Sequence, residues 1–147
     1  MIDFPYRRLE TDGRTYPLIP IELKRRDRIL PFLCLIDSGA NVSLFHADVA
    51  DLLGITLRTG VEQELHGIGG VIRGRLHQVN CALVHPTDEG VTKYPFKCRI
   101  VFSRDIQVPF QIVGRLDFFQ SFTVTFDENE QKIYLDPHIP SALSEQN

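Results

Sequence analysis

An all-β fold, sandwich or barrel, is what the sequence predicts, and three observations lead to it. Turn signals punctuate the chain at short intervals: Asp12-Gly13, Arg26-Asp27, Gly54, Gly60, Gly67 to Gly70, Pro86 to Gly90 and Asp127 to Gln131. The runs between them are rich in Val, Ile, Leu, Phe and Tyr, residues that suit a pleated, half-buried surface. The 147 residues, 43% hydrophobic and 24% charged, have the size and composition of one globular domain, 1–147, without the bias of disordered, collagenous or disulfide-stapled chains.

Taken in order, Leu18 to Leu23 alternates, with Ile19, Ile21 and Leu23 on one face, and Lys24-Arg25-Arg26-Asp27-Arg28 turns the chain into Ile29 to Ile36. The two runs predict a hairpin. The second is apolar at nearly every position, which predicts burial on both faces, and it delivers Asp37 at its C-terminal end. From His46 to Gly54 the period changes: Val49, Leu52 and Leu53 share a helical face and Gly54 suits the left-handed C′ position. Further strands are expected at Val61–Leu65, Val71–Val84, Tyr94–Phe102, Phe110–Val113, Ser121–Phe126 and Lys132–Leu135, with a helical turn at Leu116–Gln120.

A net charge of −3 gives no electrostatic reason to expect nucleic acid or an anionic membrane as partner. The basic cluster Lys24 to Arg28 falls at a hairpin tip without neighbouring aromatics to stack on bases, and reads as a solvated turn. Cys34, Cys81 and Cys98 are too far apart for a Cys-x-x-Cys motif and odd in number, so reduced thiols are expected. The N-terminus has no apolar signal-like core, and the longest apolar run, Ile29 to Ile36, is far too short to span a bilayer, which predicts a soluble cytoplasmic chain. His46, His66, His77, His85 and His138 show no metal-ligand spacing, Gly-x-Ser-x-Gly is missing, and no cofactor motif is found. Phe118, Phe119, Phe122 and Phe126 read as core.

The sharpest local feature is Leu35-Ile36-Asp37-Ser38-Gly39-Ala40, a carboxylate at the end of an apolar strand followed by a hydroxyl and a glycine. By itself Asp-Ser-Gly also describes an ordinary turn. About thirty residues on comes His66-Gly67-Ile68-Gly69-Gly70-Val71, a glycine-rich hairpin tip, and later Ile112-Val113-Gly114-Arg115-Leu116-Asp117, an apolar run turning at a glycine. In this order and spacing the three resemble the retropepsin-like aspartic peptidases, over roughly residues 17–135. The resemblance implies a closed acid-protease-type β-barrel with one or two short helices and catalysis by Asp37 in the active-site loop Ser38, Gly39 and Ala40. It also implies a substrate-covering flap at Gly67, Ile68, Gly69 and Gly70, and support from Gly114 and Arg115, whose guanidinium braces the loop. Chain ends that intercalate across a two-fold axis are common in that family, which points to Ile133 to Leu135 as interface. This chain departs from the family pattern in having Leu116 directly after Arg115 and Asn41 two positions after Gly39.

Hydrolysis of a peptide bond without metal or covalent nucleophile can run on two carboxylates sharing one proton, since like charges a few ångströms apart cannot both ionise. Only one Asp-Ser-Gly occurs, and 147 residues cannot hold two lobes of a pepsin-type chain. A homodimer pairing Asp37 with its symmetry copy is therefore expected, acting as an endopeptidase on peptide or protein substrates. Asp105 and Asp117 are followed by no hydroxyl-glycine and are assigned surface or capping roles. The same fold serving as a catalytically silent peptide-binding or scaffold module is the alternative, and a small barrel binding an apolar ligand is a further one.

Overall fold

A computed structural model describes residues 1–67 and 70–144. The flap positions Ile68 and Gly69 therefore lie outside the described residues. The ring of the barrel begins with β4 (Leu18–Arg25) and β5 (Arg28–Ile36), preceded by β1 (Ile2–Pro5), β2 (Arg7–Arg8) and β3 (Thr15–Tyr16). After it come β6 (Ser43–His46), α1 (Ala47–Leu53), a 3-10 turn at Leu57–Thr59, β7 (Val61–Gly67) and the long strands β8 (Gly70–Thr87) and β9 (Gly90–Ser103). There follow β10 (Gln111–Val113), a kinked helical turn at Arg115–Phe119 whose Leu116 and Asp117 have non-helical backbone, β11 (Phe122–Asp127), β12 (Lys132–Pro137) and β13 (Ala142–Ser144).

Strand order closes the sheet on itself. β4 pairs with β5, β5 with β10, β10 with β6, β6 with β9, β9 with β8 and β8 again with β4, a six-stranded ring that leaves no free edge within it. Two of these contacts are parallel, β5 with β10 (Leu35 opposite Ile112) and β6 with β9 (Leu44 opposite Val101). The interior is filled by the inward sets of the alternating strands: Ile19, Ile21, Leu23, Leu83, Ile100, Phe45 and Phe102 are all buried. α1 covers one end with Val49, Ala50 and Leu53, and Gly54 closes it at φ 74°, the left-handed stop expected from the sequence.

Several expectations about side-chain direction are corrected. β5 is not buried on both faces: Ile29 is 46% and Leu33 40% exposed, because one side of the closed ring faces solvent. Leu52 points outward while Val49 and Leu53 point inward, since seven helical residues present only a narrow stripe to the barrel. Phe126 is half exposed on an edge strand, whereas Phe96, Phe118 and Phe122 pack with centroids 5.1 to 5.8 Å apart and weld the helical turn and β11 to β9. Cys34, Cys81 and Cys98 are buried free thiols, and burial pushes Cys34 well above its ordinary value, which makes it a poor nucleophile.

The interface expectation for Ile133 to Leu135 also fails. β12 is the middle strand of a three-stranded sheet, hydrogen-bonded to β1 on one edge and β11 on the other, and Ile133 and Leu135 are 0% exposed. The N-terminal residues Ile2 and Phe4 pair with Leu135 and Ile133, so a strand of the same chain fills the edge that a partner would need. No helix among the described residues is long and apolar enough to cross a membrane. Ile133→Ala is expected to cost about 2–5 kcal/mol in urea unfolding, independent of protein concentration. A loss confined to dilute samples would return β12 to an intermolecular role.

Candidate active site

Asp37 sits where β5 runs out. Its backbone N–H donates to Val113 O (3.0 Å), which extends the parallel ladder to β10 by one residue, and the chain then turns so that Ala40 N–H reaches Asp37 O (3.2 Å). Inside this turn the Gly39 N–H donates to Asp37 Oδ1 at 2.9 Å. A Cβ on residue 39 would lie 3.2 Å from that same oxygen, so glycine leaves room for the carboxylate to fold back on the loop. Asp37 is half-buried, with Ser38 and Gly39 exposed, and the Ser38 hydroxyl makes no hydrogen bond among the described residues.

The loop is held from behind by the segment that follows β10. β10 lies between β5 and β6, so residues 37–42 must arch over its end to rejoin the sheet. There Gly114 passes so close that a Cβ would stand 2.6 Å from both Ala40 O and Val42 O. Arg115 N–H donates to Ala40 O (2.8 Å), Leu116 N–H to Asn41 O (2.9 Å), and Gly114 N–H to the Oγ of Ser43 (3.1 Å), a fully buried hydroxyl. The brace at this position is thus backbone: the Arg115 side chain is exposed and makes no hydrogen bond or ion pair among the described residues. Ser43 went unnoticed in the sequence because a serine in an apolar stretch carries no spacing signal.

Asp117, expected to have a surface or capping role, has a fixed partner in Arg99. Held at φ 68°, it receives Arg99 through the backbone N–H (2.8 Å), Nε (3.0 Å) and Nη2 (3.0 Å), tying the helical turn to β9. Those hydrogen bonds from Arg99 hold its carboxyl below the ordinary value against the opposing effect of burial. Asp105 is likewise employed. Its Oδ2 accepts from Arg73 N–H (3.0 Å) and Ser103 Oγ donates to Arg73 O, so both backbone groups of Arg73 are fixed by one short segment. Next to it Gly74 leaves only 2.4 Å between a would-be Cβ and Phe102 O. Beyond this clamp β8 pairs with β7 alone, as a two-stranded arm whose tip reaches Gly67 and Gly70, the latter at φ 116°.

Arm and loop enclose a cleft of ≈ 860 Å³. Gly39, Ala40, Asn41 and Val42 line its floor, His66, Gly67, Gly70 and Val71 its roof, and Arg104 and Asp105 one end. Gly39 and Ala40 of the expected active-site loop and the expected flap glycines Gly67 and Gly70 therefore border a common space of the size that takes a ligand of several groups. Glu64 also borders it, within 3.5 Å of His66 and 3.8 Å of Arg73. The loop reaches this space through Gly39 and Ala40, whereas Asp37 and Ser38 are not among the residues that line it.

No protein-family model and no curated protein matches the sequence. Among solved structures the chain is similar to one described as EIAV protease complexed with the inhibitor HBY-793. The two are 18% identical, with a TM-score of 0.45, over 71% of this chain and 86% of that one. No residue role passes across at that level.

Three outcomes are expected. Gly114→Ala destabilises the fold by about 1–3 kcal/mol or more in thermal or urea melts, because the added methyl meets fixed carbonyls; an unchanged melt would mean that the crossing is slack. Asp105→Ala speeds hydrogen exchange in residues 61–67 and 70–73 relative to the rest of β8, and uniform exchange would break the assignment of the clamp. Because Asp117 titrates below its unfolded value, its contribution is full above the ordinary carboxylate range and fades as pH falls through the lowered folded value. Asp117→Asn therefore flattens the acid side of the stability curve, and parallel curves for parent and variant would refute this.

Proposed function

We propose that the protein is an aspartic endopeptidase, active as a homodimer in which Asp37 of each copy supplies half of the catalytic pair. The reading is supported by one observation: the carboxylate that receives its own loop's Gly39 N–H belongs to the loop whose Gly39 and Ala40 line the floor of a cleft roofed by a glycine-tipped arm. In the pair, the ionised carboxylate takes a proton from water as the water oxygen bonds to the peptide carbonyl carbon. The protonated partner gives its proton to the carbonyl oxygen, and the diol then collapses with proton transfer to the departing nitrogen. The arm excludes water other than the reacting one and contributes Gly67 and Gly70 backbone to an extended substrate. In this reading the hydroxyl of Ser38, an exposed residue, hydrogen-bonds to the facing loop of the other copy, and β11, an edge strand of its sheet, serves for contact between copies.

A silent peptide-binding module is the second reading, favoured by the completion of the β1–β12–β11 sheet within one chain, which removes one need for a partner. The two separate cleanly. Asp37→Asn leaves a folded dimer that cleaves an unstructured protein substrate at less than about one hundredth of the parental rate, since an amide cannot act as base. Parental activity in that variant, or a parent that sediments as a monomer at micromolar concentration, would defeat the peptidase reading.

A further inference from the structure

The basic cluster at the β4–β5 tip acquires neighbours in the fold that its sequence position does not reveal. Lys24 on β4 stands opposite Asn80 on β8, and Asn80 opposite Lys97 on β9, so the three form a row across adjacent strands. All three are exposed, while Leu23, Val79, Cys81 and Cys98 between them point inward. Arg25 and Arg26 stand beside this row and Gln78 lies one pleat along, bordering with it a groove of ≈ 560 Å³ whose far wall is the turn around Thr56 and Thr59.

Four cations face this groove and no carboxylate lines it among the described residues. Nor does Lys24, Arg25, Arg26 or Lys97 belong to any ion pair among those residues. The nearby charges are spoken for: Glu22 holds Lys93 at 3.0 Å, Arg99 holds Asp117, and Asp27 at the turn does not border the space. The tip is also fixed in place, because Arg25 Nη1 donates to Leu53 O (3.4 Å) and Arg28 Nη1 to Leu52 O (2.6 Å), the free carbonyls at the end of α1. Arg26 occupies φ 57°, a conformation that glycine or asparagine adopts more readily, yet the position carries a guanidinium that borders the groove. Like charges gathered at a fixed spot in a chain of net charge −3 repel one another unless an anion joins them.

We infer that the groove beside Lys24, Asn80 and Lys97 binds a polyphosphate group, the diphosphate or triphosphate of a small ligand. Four cations and two side-chain amides supply donors in excess of what one carboxylate accepts, and they match the several charges and many acceptor oxygens of linked phosphates. The site is independent of the peptidase reading.

Calorimetric titration tests it, with sodium pyrophosphate as probe and sodium sulfate at equal ionic strength as control. Saturable binding of pyrophosphate at a single site, weakened about tenfold or more in the Lys24→Gln/Lys97→Gln double variant and unaltered in Lys93→Gln, is the expected result. Adenosine triphosphate in a parallel arm distinguishes the source: tighter binding than pyrophosphate assigns the site to a nucleotide, equal or weaker binding to an inorganic phosphate chain. Absence of saturable binding by either probe, an equal response to sulfate, or undiminished binding by the double variant would overturn the proposal. Circular dichroism confirms that the exposed substitutions leave the fold intact.

Discussion

The close crossing at Gly114 is the constraint on which the rest of the molecule depends. A strand of three residues, β10, is wedged between β5 and β6, and the barrel closes only because it is there. The wedge fits because residue 114 has no side chain, which lets its neighbours' N–H groups reach the carbonyls of Ala40 and Asn41 while its own N–H reaches the buried Ser43 hydroxyl. The same bonds shape the arch that holds Asp37, so barrel closure and the posture of the carboxylate share one origin. In most β-barrels a functional loop is an appendage to a scaffold. Here the loop is the price of inserting the strand.

Much of this was legible in the sequence. The alternation of Ile19, Ile21 and Leu23 locates β4, Gly54 ends α1, and the strands from Val61 onward follow from β-branched runs between turn residues. What could not be read was direction and pairing. A run such as Ile29 to Ile36 has no polar phase to say which side faces inward, so the exposure of Ile29 and Leu33 cannot be read from it. β6 is four residues long after a turn, too brief to show a period, and β1 finds β12 across nearly the whole chain. Of the site, the Asp37 turn and the glycine tip could be seen because their chemistry is local. The roles of Ser43, Asp105 and Asp117 arise from backbone groups distant in sequence, which no spacing rule records.

The two larger sheets divide the labour. The barrel carries loop, arm and cleft, and the β1–β12–β11 sheet, joined to it through Phe96, Phe118 and Phe122, brings the N-terminal strand and the C-terminal hairpin together in one layer. Charges are allotted in a similar way. Carboxylates concentrate on restraint, at Arg73 and Arg99, whereas Arg25 and Arg28 of the β4–β5 tip anchor on α1, and Lys24, Arg26 and Lys97 belong to no ion pair among the described residues.

The wedged strand bears on how the chain acquires its shape. During synthesis β5 emerges long before β10, and until Gln111 to Val113 arrive, the facing edges of β5 and β6 have nothing to bond. Contacts between segments so remote are assembled slowly, and unfilled strand edges invite association with other nascent chains. The last quarter of the polypeptide thus acts as a keystone set after the arch is raised, and a ribosome that stalls before it would release a product with an open, adhesive seam.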